Sequence, residues 1–348
     1  MAPTALLHRQ MSISLAKDRA ADPPGGDQAV VAAPSPVQPT AAVTATIHYG
    51  DHNLALNAPK PGPPDFWLSG GGALLGTARS PNWEVFDMPI RTDPWPAGTP
   101  CWVDLSVPDL TAAKEFYGAV FGWTFLDSGA EFGNYQICQV DGRAAAAIGP
   151  CQAEGQPTAW TVYLASNDAD GTAKLIADDG GTVLAEPFDI PGNGRMCIAQ
   201  DPLGATFGVW QAAGTHGVEI YMEPGSLVWT DARLPDPDTG RTFYAAVFGY
   251  RYEPIEGAPP DYTSIHFDGA RDGEPVGGIG GMMGAPEGTP PHWLAYFMVP
   301  DADIATASAR AAGGTILAEP FDTPYGRMAG ITDPHGASFV VVGTIPST

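Results

Sequence analysis

The sequence predicts an α+β protein of two tandem domains, each assembled from two β-α-β-β-β modules. Three observations carry this. First, long blocks recur in the same order: Phe116-Tyr-Gly-Ala-Val-Phe-Gly-Trp123 returns as Phe243-Tyr-Ala-Ala-Val-Phe-Gly-Tyr250, and Gly180-Gly-Thr-Val-Leu-Ala-Glu-Pro-Phe-Asp189 returns as Gly313-Gly-Thr-Ile-Leu-Ala-Glu-Pro-Phe-Asp322. Gly-Arg-Met follows in both copies (194–196, 326–328), then Asp-Pro-x-Gly-Ala-x-Phe at 201–207 and 333–339. Second, each repeated unit passes from strand alternation to helical spacing and back. Third, that succession recurs inside each copy, so the chain holds four modules.

In chain order, residues 1–87 are rich in Ala, Pro and Gly and read as lacking helical or strand periodicity. Such a stretch does not offset its ordering entropy by burial. It is expected to be disordered, a tethering tail, or an upstream extension ahead of a natural start at Met88. The first domain spans 88–213. Cys101–Val107 alternates, with Val103, Leu105 and Val107 on an apolar back and Trp102, Asp104 and Ser106 on the front. Leu110, Ala113, Phe116, Tyr117 and Val120 then fall at helical spacing, with Asp109 as cap and Gly122 as stop. Short strands are expected around Trp123–Leu126, Tyr135–Val140 and Arg143–Ile148. The next module runs through a strand at Trp160–Ala165, a helix at Asp168–Asp178 and strands at Thr182–Leu184, Arg195–Ala199 and Ala205–Trp210. A linker at 214–226 leads to the second domain, 227–348.

A formal net charge of −23 repels phosphate backbones and anionic membranes, leaving cationic or neutral small molecules as the expected partners. The four cysteines, Cys101, Cys138, Cys151 and Cys197, all lie in the first copy without an echo in the second, as reduced packing residues of a cytoplasmic protein would. No signal peptide or membrane span is read from the chain.

The Phe-Tyr-x-x-Val-Phe-Gly helix end, the Asp-Pro-x-Gly turn and Thr99-Pro-Cys-Trp-Val-Asp-Leu105 resemble the vicinal oxygen chelate (VOC) superfamily of glyoxalases, bleomycin-resistance proteins and extradiol dioxygenases. The resemblance covers about residues 100–343. It implies sheets curled into cups around a small-molecule site, in a tandem arrangement that mimics a dimer and makes a monomer the expected state. It also implies a divalent metal held by His, Gln or Glu at four strand positions. Here those positions read Trp102 and Trp229, Ala145–Ala147 and Gly277–Ile279, Thr161 or Val162 and Leu294 or Ala295, and Gly208 and Val340. None supplies a family ligand, so neither a metal nor another cofactor is expected. Of seven histidines, only His266 and His292 fall on strands, and neither has a counterpart in the first copy.

Each cup is instead expected to present an indole, a phenol and a carboxylate. Trp102 and Trp229 are candidate ligand-binding walls, and Asp104 and Asp231 with Tyr163 and Tyr296 are candidate catalytic or polar anchoring groups. Arg195 and Arg327 are candidates for an anionic group at the cup mouth, against the alternative of an exposed brace. Trp160 and Trp293 read as core on the opposite face. Three functions stay open: a metal-free binder of a small organic molecule, a cofactor-free lyase, isomerase or hydroxylase using Asp and Tyr, and a structural protein with filled cups.

Overall fold

The computed structural model describes residues 43–49, 52–58, 91, 93–153, 155–270, 273–283, 285 and 288–344. Most of 1–87 lies outside them, and with it the expectations for that region. Within it, β1 (Val43–Tyr49) and β2 (His52–Ala58) pair antiparallel, with Tyr49 opposite His52. This corrects the reading of no strand periodicity: Val43, Ala45 and Ile47 alternate with Thr44, Thr46 and His48, a period of two inside a Pro-rich stretch.

The first domain comprises β3 (Pro100–Val107), α1 (Leu110–Phe121), β4 (Thr124–Asp127), β5 (Gln136–Val140), β6 (Arg143–Pro150), β7 (Trp160–Ala165), α2 (Ala169–Asp178), β8 (Thr182–Ile190), β9 (Gly194–Gln200) and β10 (Thr206–Ala212). They form one eight-stranded sheet in the order β4-β5-β6-β3-β7-β10-β9-β8. Each module closes on itself through a parallel pair, β3 with β6 and β7 with β10, and the modules join where β3 meets β7 antiparallel. The second domain repeats this with β11 (Leu227–Arg233), α3 (Pro237–Phe248), β12 (Arg251–Pro254), β13 (Thr263–His266), β14 (Gly277–Gly280), β15 (His292–Met298), α4 (Ala302–Ala311), β16 (Thr315–Thr323), β17 (Gly326–Thr332) and β18 (Ser338–Gly343), in the order β12-β13-β14-β11-β15-β18-β17-β16. The expected architecture of two tandem α+β domains, each of two β-α-β-β-β modules, is the one observed.

Local chemistry sets the elements. Asp109 Oδ1 accepts from the backbone N–H of Thr111 and Ala112, both at 3.0 Å, and Gly122 stops α1 at φ 72°. Asp236 and Gly249 do the same for α3. Strand β8 runs well beyond the Thr182–Leu184 expected from the sequence, through Pro187. It lies at the sheet edge with irregular register around Ala185, where a residue lacking an N–H is tolerated.

The helices of the two domains face each other across one shared core. Phe116 meets Phe339 at 6.3 Å and Phe121 meets Phe297 at 5.0 Å between ring centroids. The Tyr117 hydroxyl donates to Asp333 Oδ2 at 2.9 Å, and Tyr244 to Asp201 Oδ2 at 3.1 Å. Those aspartates open the two Asp-Pro-x-Gly turns, and their Oδ1 atoms accept from backbone N–H groups of the same turns. Two repeated motifs, the helical Phe-Tyr and the Asp-Pro-x-Gly, are therefore one interaction made twice, α1 and α3 each pinned to a turn of the other domain. With the helices between the domains, the opposite sheet faces are left to form the two cups. No helix among the described residues is long and apolar enough to cross a membrane.

Candidate functional site

Alternation along β3 sends Val103, Leu105 and Val107 into the core, at most 1% exposed, and turns Trp102, Asp104 and Ser106 toward the first cup. Register places Tyr163 of β7 opposite Trp102. Tyr135, just ahead of β5, completes the cluster. Its hydroxyl accepts from Trp102 Nε1 at 3.0 Å and donates to Asp104 Oδ2 at 2.9 Å, while the Tyr163 hydroxyl donates to the same oxygen at 2.9 Å. The indole, phenol and carboxylate expected at this cup thus come together.

Around them lies a cavity of about 330 Å³, walled by Trp102, Tyr135, Tyr163, Phe188, Met196 and Trp210, with Gln152, Gln156 and Asn193 as polar points. Among the described residues Asp104 is the only charged side chain on the wall. Burial pushes its carboxyl up to about 6, against the pull of the two phenol hydrogen bonds. It therefore carries a proton or a charge according to conditions close to neutrality.

The second cup has the same residue types in a rearranged bonding pattern, with an arginine added. Asp231 Oδ1 accepts from Trp229 Nε1 at 2.8 Å and from the Tyr262 hydroxyl at 2.7 Å, and Oδ2 accepts from Tyr296 at 2.6 Å. Arg233 Nη2 also reaches Oδ2, at 2.5 Å, and donates to the Tyr296 hydroxyl at 2.7 Å. Asp231 is 1% exposed and Arg233 5%. The pair holds the guanidinium above its ordinary pKa despite desolvation, and Nη1 is buried without a hydrogen-bond partner. Packing is tight: a Cβ added at Gly278 would lie 2.1 Å from the Tyr262 hydroxyl and 2.2 Å from Asp231 Oδ1. Four residues beyond the tryptophan, the first copy has Ser106 where the second has Arg233. That difference leaves the first carboxylate facing a cavity without a cation and gives the second a guanidinium partner from its own strand.

Within the two polar clusters, Tyr135, Tyr262 and Arg233 are the residues that the sequence pattern did not single out. Each tyrosine follows its tryptophan by 33 residues, a constancy that marks the pair. Arg195 and Arg327 correct the expectation of a group at the cup mouth. Alternation along β9 points Met196 into the cup and Arg195 away from it, where its guanidinium grips Asp170 at the start of α2 and Asp189 on β8. Arg327 makes the matching contacts with Asp303 and Asp322. Both are braces. Trp160 and Trp293 lie in the core as expected, each edge-on to a helix tyrosine, Tyr117 or Tyr244, with centroids 5.4 Å apart.

The donor set does not fit the family's metal. Gly208 sits beside Tyr163, whose ring would be 2.0 Å from a Cβ at that position, so the phenol occupies the space an acidic ligand would need. The first cup offers one carboxylate whose Oδ2 already accepts two phenols, and in the second a guanidinium opposes any cation. Among the described residues no group of three or more His, Cys, Asp or Glu is arranged to hold a metal ion. His266 is held by Ser264 and the Gly273 carbonyl, and His292 by the Pro290 carbonyl, with burial lowering the latter's pKa.

A family model described as Glyoxalase/Bleomycin resistance protein/Dioxygenase superfamily matches residues 101–209 and 226–341. The chain is 40% identical over 267 residues to "Putative glyoxylase CFP32" of Mycobacterium bovis, covering 74% of this chain and 99% of that protein. It is 37% identical over 264 residues to "Anthracycline biosynthesis protein DauV" of a Streptomyces species, covering 70% and 93%. In fold it is similar to the Mn(II)-bound glyoxalase of Novosphingobium aromaticivorans, with a TM-score of 0.53 at 15% identity, covering 72% of this chain and 84% of that one.

Proposed function

The chain belongs to the Glyoxalase/Bleomycin resistance protein/Dioxygenase superfamily, and within it we propose a metal-free binder of a small, planar organic molecule, seated in the first cup. One observation carries this: an open aromatic cavity of about 330 Å³ with a lone carboxylate on its wall, where the matching carboxylate of the second cup is already paired with a guanidinium. Rigid aromatic walls with few polar groups are the usual make-up of a small-molecule pocket, and the volume suits one to three fused rings. Relatives named for anthracycline biosynthesis support an aromatic ligand. The charge of −23 supports a small molecule over nucleic acid or an anionic membrane as partner, and a cytoplasmic setting in which the four cysteines stay reduced.

Native mass spectrometry of freshly purified protein, followed by titration of any co-purifying molecule against tryptophan fluorescence, tests this. Stacking on an indole is worth about 1 kcal/mol and a charged hydrogen bond about 1.5–3 kcal/mol. Trp102→Ala with Asp104→Ala should thus weaken binding roughly tenfold to several hundredfold, while Trp229→Ala with Asp231→Ala leaves it in place. If Trp102→Ala and Asp104→Ala lower stability by several kcal/mol and bind as the wild type does, the first cup is core and the proposal fails.

The position of Asp104 near 6 supports a second reading, a cofactor-free enzyme with this carboxylate as general base and Tyr135 and Tyr163 as flanking proton donors. Turnover of the bound molecule that rises with pH through about 6 and is lost in Asp104→Asn would favour it over simple binding.

A further inference from the structure

The second cup shows what its cluster is built to hold. There the carboxylate and two phenols hold a guanidinium, with the indole bonded to the carboxylate's other oxygen, and this chain supplies the guanidinium from its own strand, two residues beyond Asp231 on the same face. The guanidinium lies with its Cζ 5.6 Å from the centroid of the Tyr262 ring, within cation-π range. In the first cup the same four groups come together, the indole on Tyr135 and both phenols on Asp104 Oδ2, but Ser106 stands in the arginine's place and the space in front of Asp104 is open. No other charged side chain among the described residues lines that space. Asp104 is half-buried with no counter-charge on the cavity wall, and a cation placed there supplies one.

We infer that Arg233 is an internal stand-in for the ligand of the first cup, which takes an organic cation, an amidinium, guanidinium or protonated amine carried on a planar apolar body. The head would sit against Asp104 and the Tyr163 hydroxyl, as Arg233 sits against Asp231 and Tyr296, and the body against Trp102, Phe188 and Trp210. The strongly acidic chain draws such molecules toward it. This inference rests on the first cup being a pocket, and its test separates the two.

Benzamidine, benzamide and benzoate share a ring and differ in head charge. Their affinities, measured by calorimetry at pH 7.5, should fall in that order, with benzamidine at least tenfold tighter than benzamide. Asp104→Asn should collapse that ratio to near one. Ser106→Arg, which installs the guanidinium, should abolish binding of all three. Arg233→Ser should raise the stoichiometry of benzamidine from one to two. If that variant does not fold, the first-cup variants still decide the matter. Equal binding of benzamidine and benzamide, or tighter binding of benzoate, that Ser106→Arg still abolishes overturns the cation inference and leaves the pocket standing. Binding insensitive to Ser106→Arg, or none at millimolar probe, overturns both.

Discussion

Replacing the two equivalent aspartates by asparagine should have opposite effects on stability. Asp231 is 1% exposed and bonded at 2.5 Å to a guanidinium that is itself 5% exposed, so Asp231→Asn leaves a buried positive charge without its partner. Breaking such a pair from one side costs about 3–5 kcal/mol. Asp104 has no cation on its cavity wall, and burial moves its carboxyl from 3.8 to about 6. Because the folded value is the higher one, the folded state binds the proton more tightly. The stability it confers is fully present below 3.8 and is lost as pH rises through about 6. At about 1.4 kcal/mol per pH unit, the ionised side chain costs roughly 1 kcal/mol at pH 4.5 and roughly 3 kcal/mol at pH 7.5. Asparagine keeps an oxygen for the phenols and carries no charge. Asp104→Asn should therefore gain roughly 1–3 kcal/mol at pH 7.5 and much less at pH 4.5, while Asp231→Asn loses several at pH 7.5. Urea denaturation of wild type and variants at both pH values measures this, with the global charge common to all. A loss for Asp104→Asn matching that for Asp231→Asn, or a change independent of pH, would refute the reasoning.

Tyr117→Phe and Tyr244→Phe each remove a buried hydrogen bond between domains, to Asp333 and Asp201, and each should cost about 1–3 kcal/mol in urea denaturation. No loss from either would mean that these bonds do not hold the domains together. Arg195→Ala removes an exposed brace and should cost at most about 1 kcal/mol with ligand affinity unchanged; a tenfold weakening would return it to the binding site. Elemental analysis should find well under one equivalent of any transition metal, and a chelator should leave the melting temperature unchanged.

The fold was legible because duplication and burial act on the same residues. Trp102 and Trp229, Phe116 and Phe243, and Gly122 and Gly249 each serve the same geometric need twice, so the two copies mark one another's strands, helix faces and stops. What local pattern could not give was long-range. That Tyr117 bonds to Asp333 depends on how one domain docks on the other, 216 residues away in the chain. The β1–β2 ribbon was hidden by composition, since proline and alanine around a stretch mask its alternation. Arg195 shows the reverse limit. Its recurrence as Arg327 is real, but recurrence reports a shared role without saying which face of the strand performs it.

At the cups, pairing drew attention to what the copies share, and function divides where they differ. Ser106 and Arg233 have no likeness to suggest a correspondence, yet period-two alternation puts each on the face of its aspartate, two residues away. An arginine there has two options: to extend toward solvent or to fold back on Asp231. With Tyr262 and Tyr296 bonded to the carboxylate, folding back gains an ion pair and a hydrogen bond. A serine is too short to do either. Arg233 thus ties the second cluster into the fold through Asp231 and Tyr296. The first keeps an acid without a cation beside it on the wall of an aromatic cavity, an arrangement that costs stability at neutral pH.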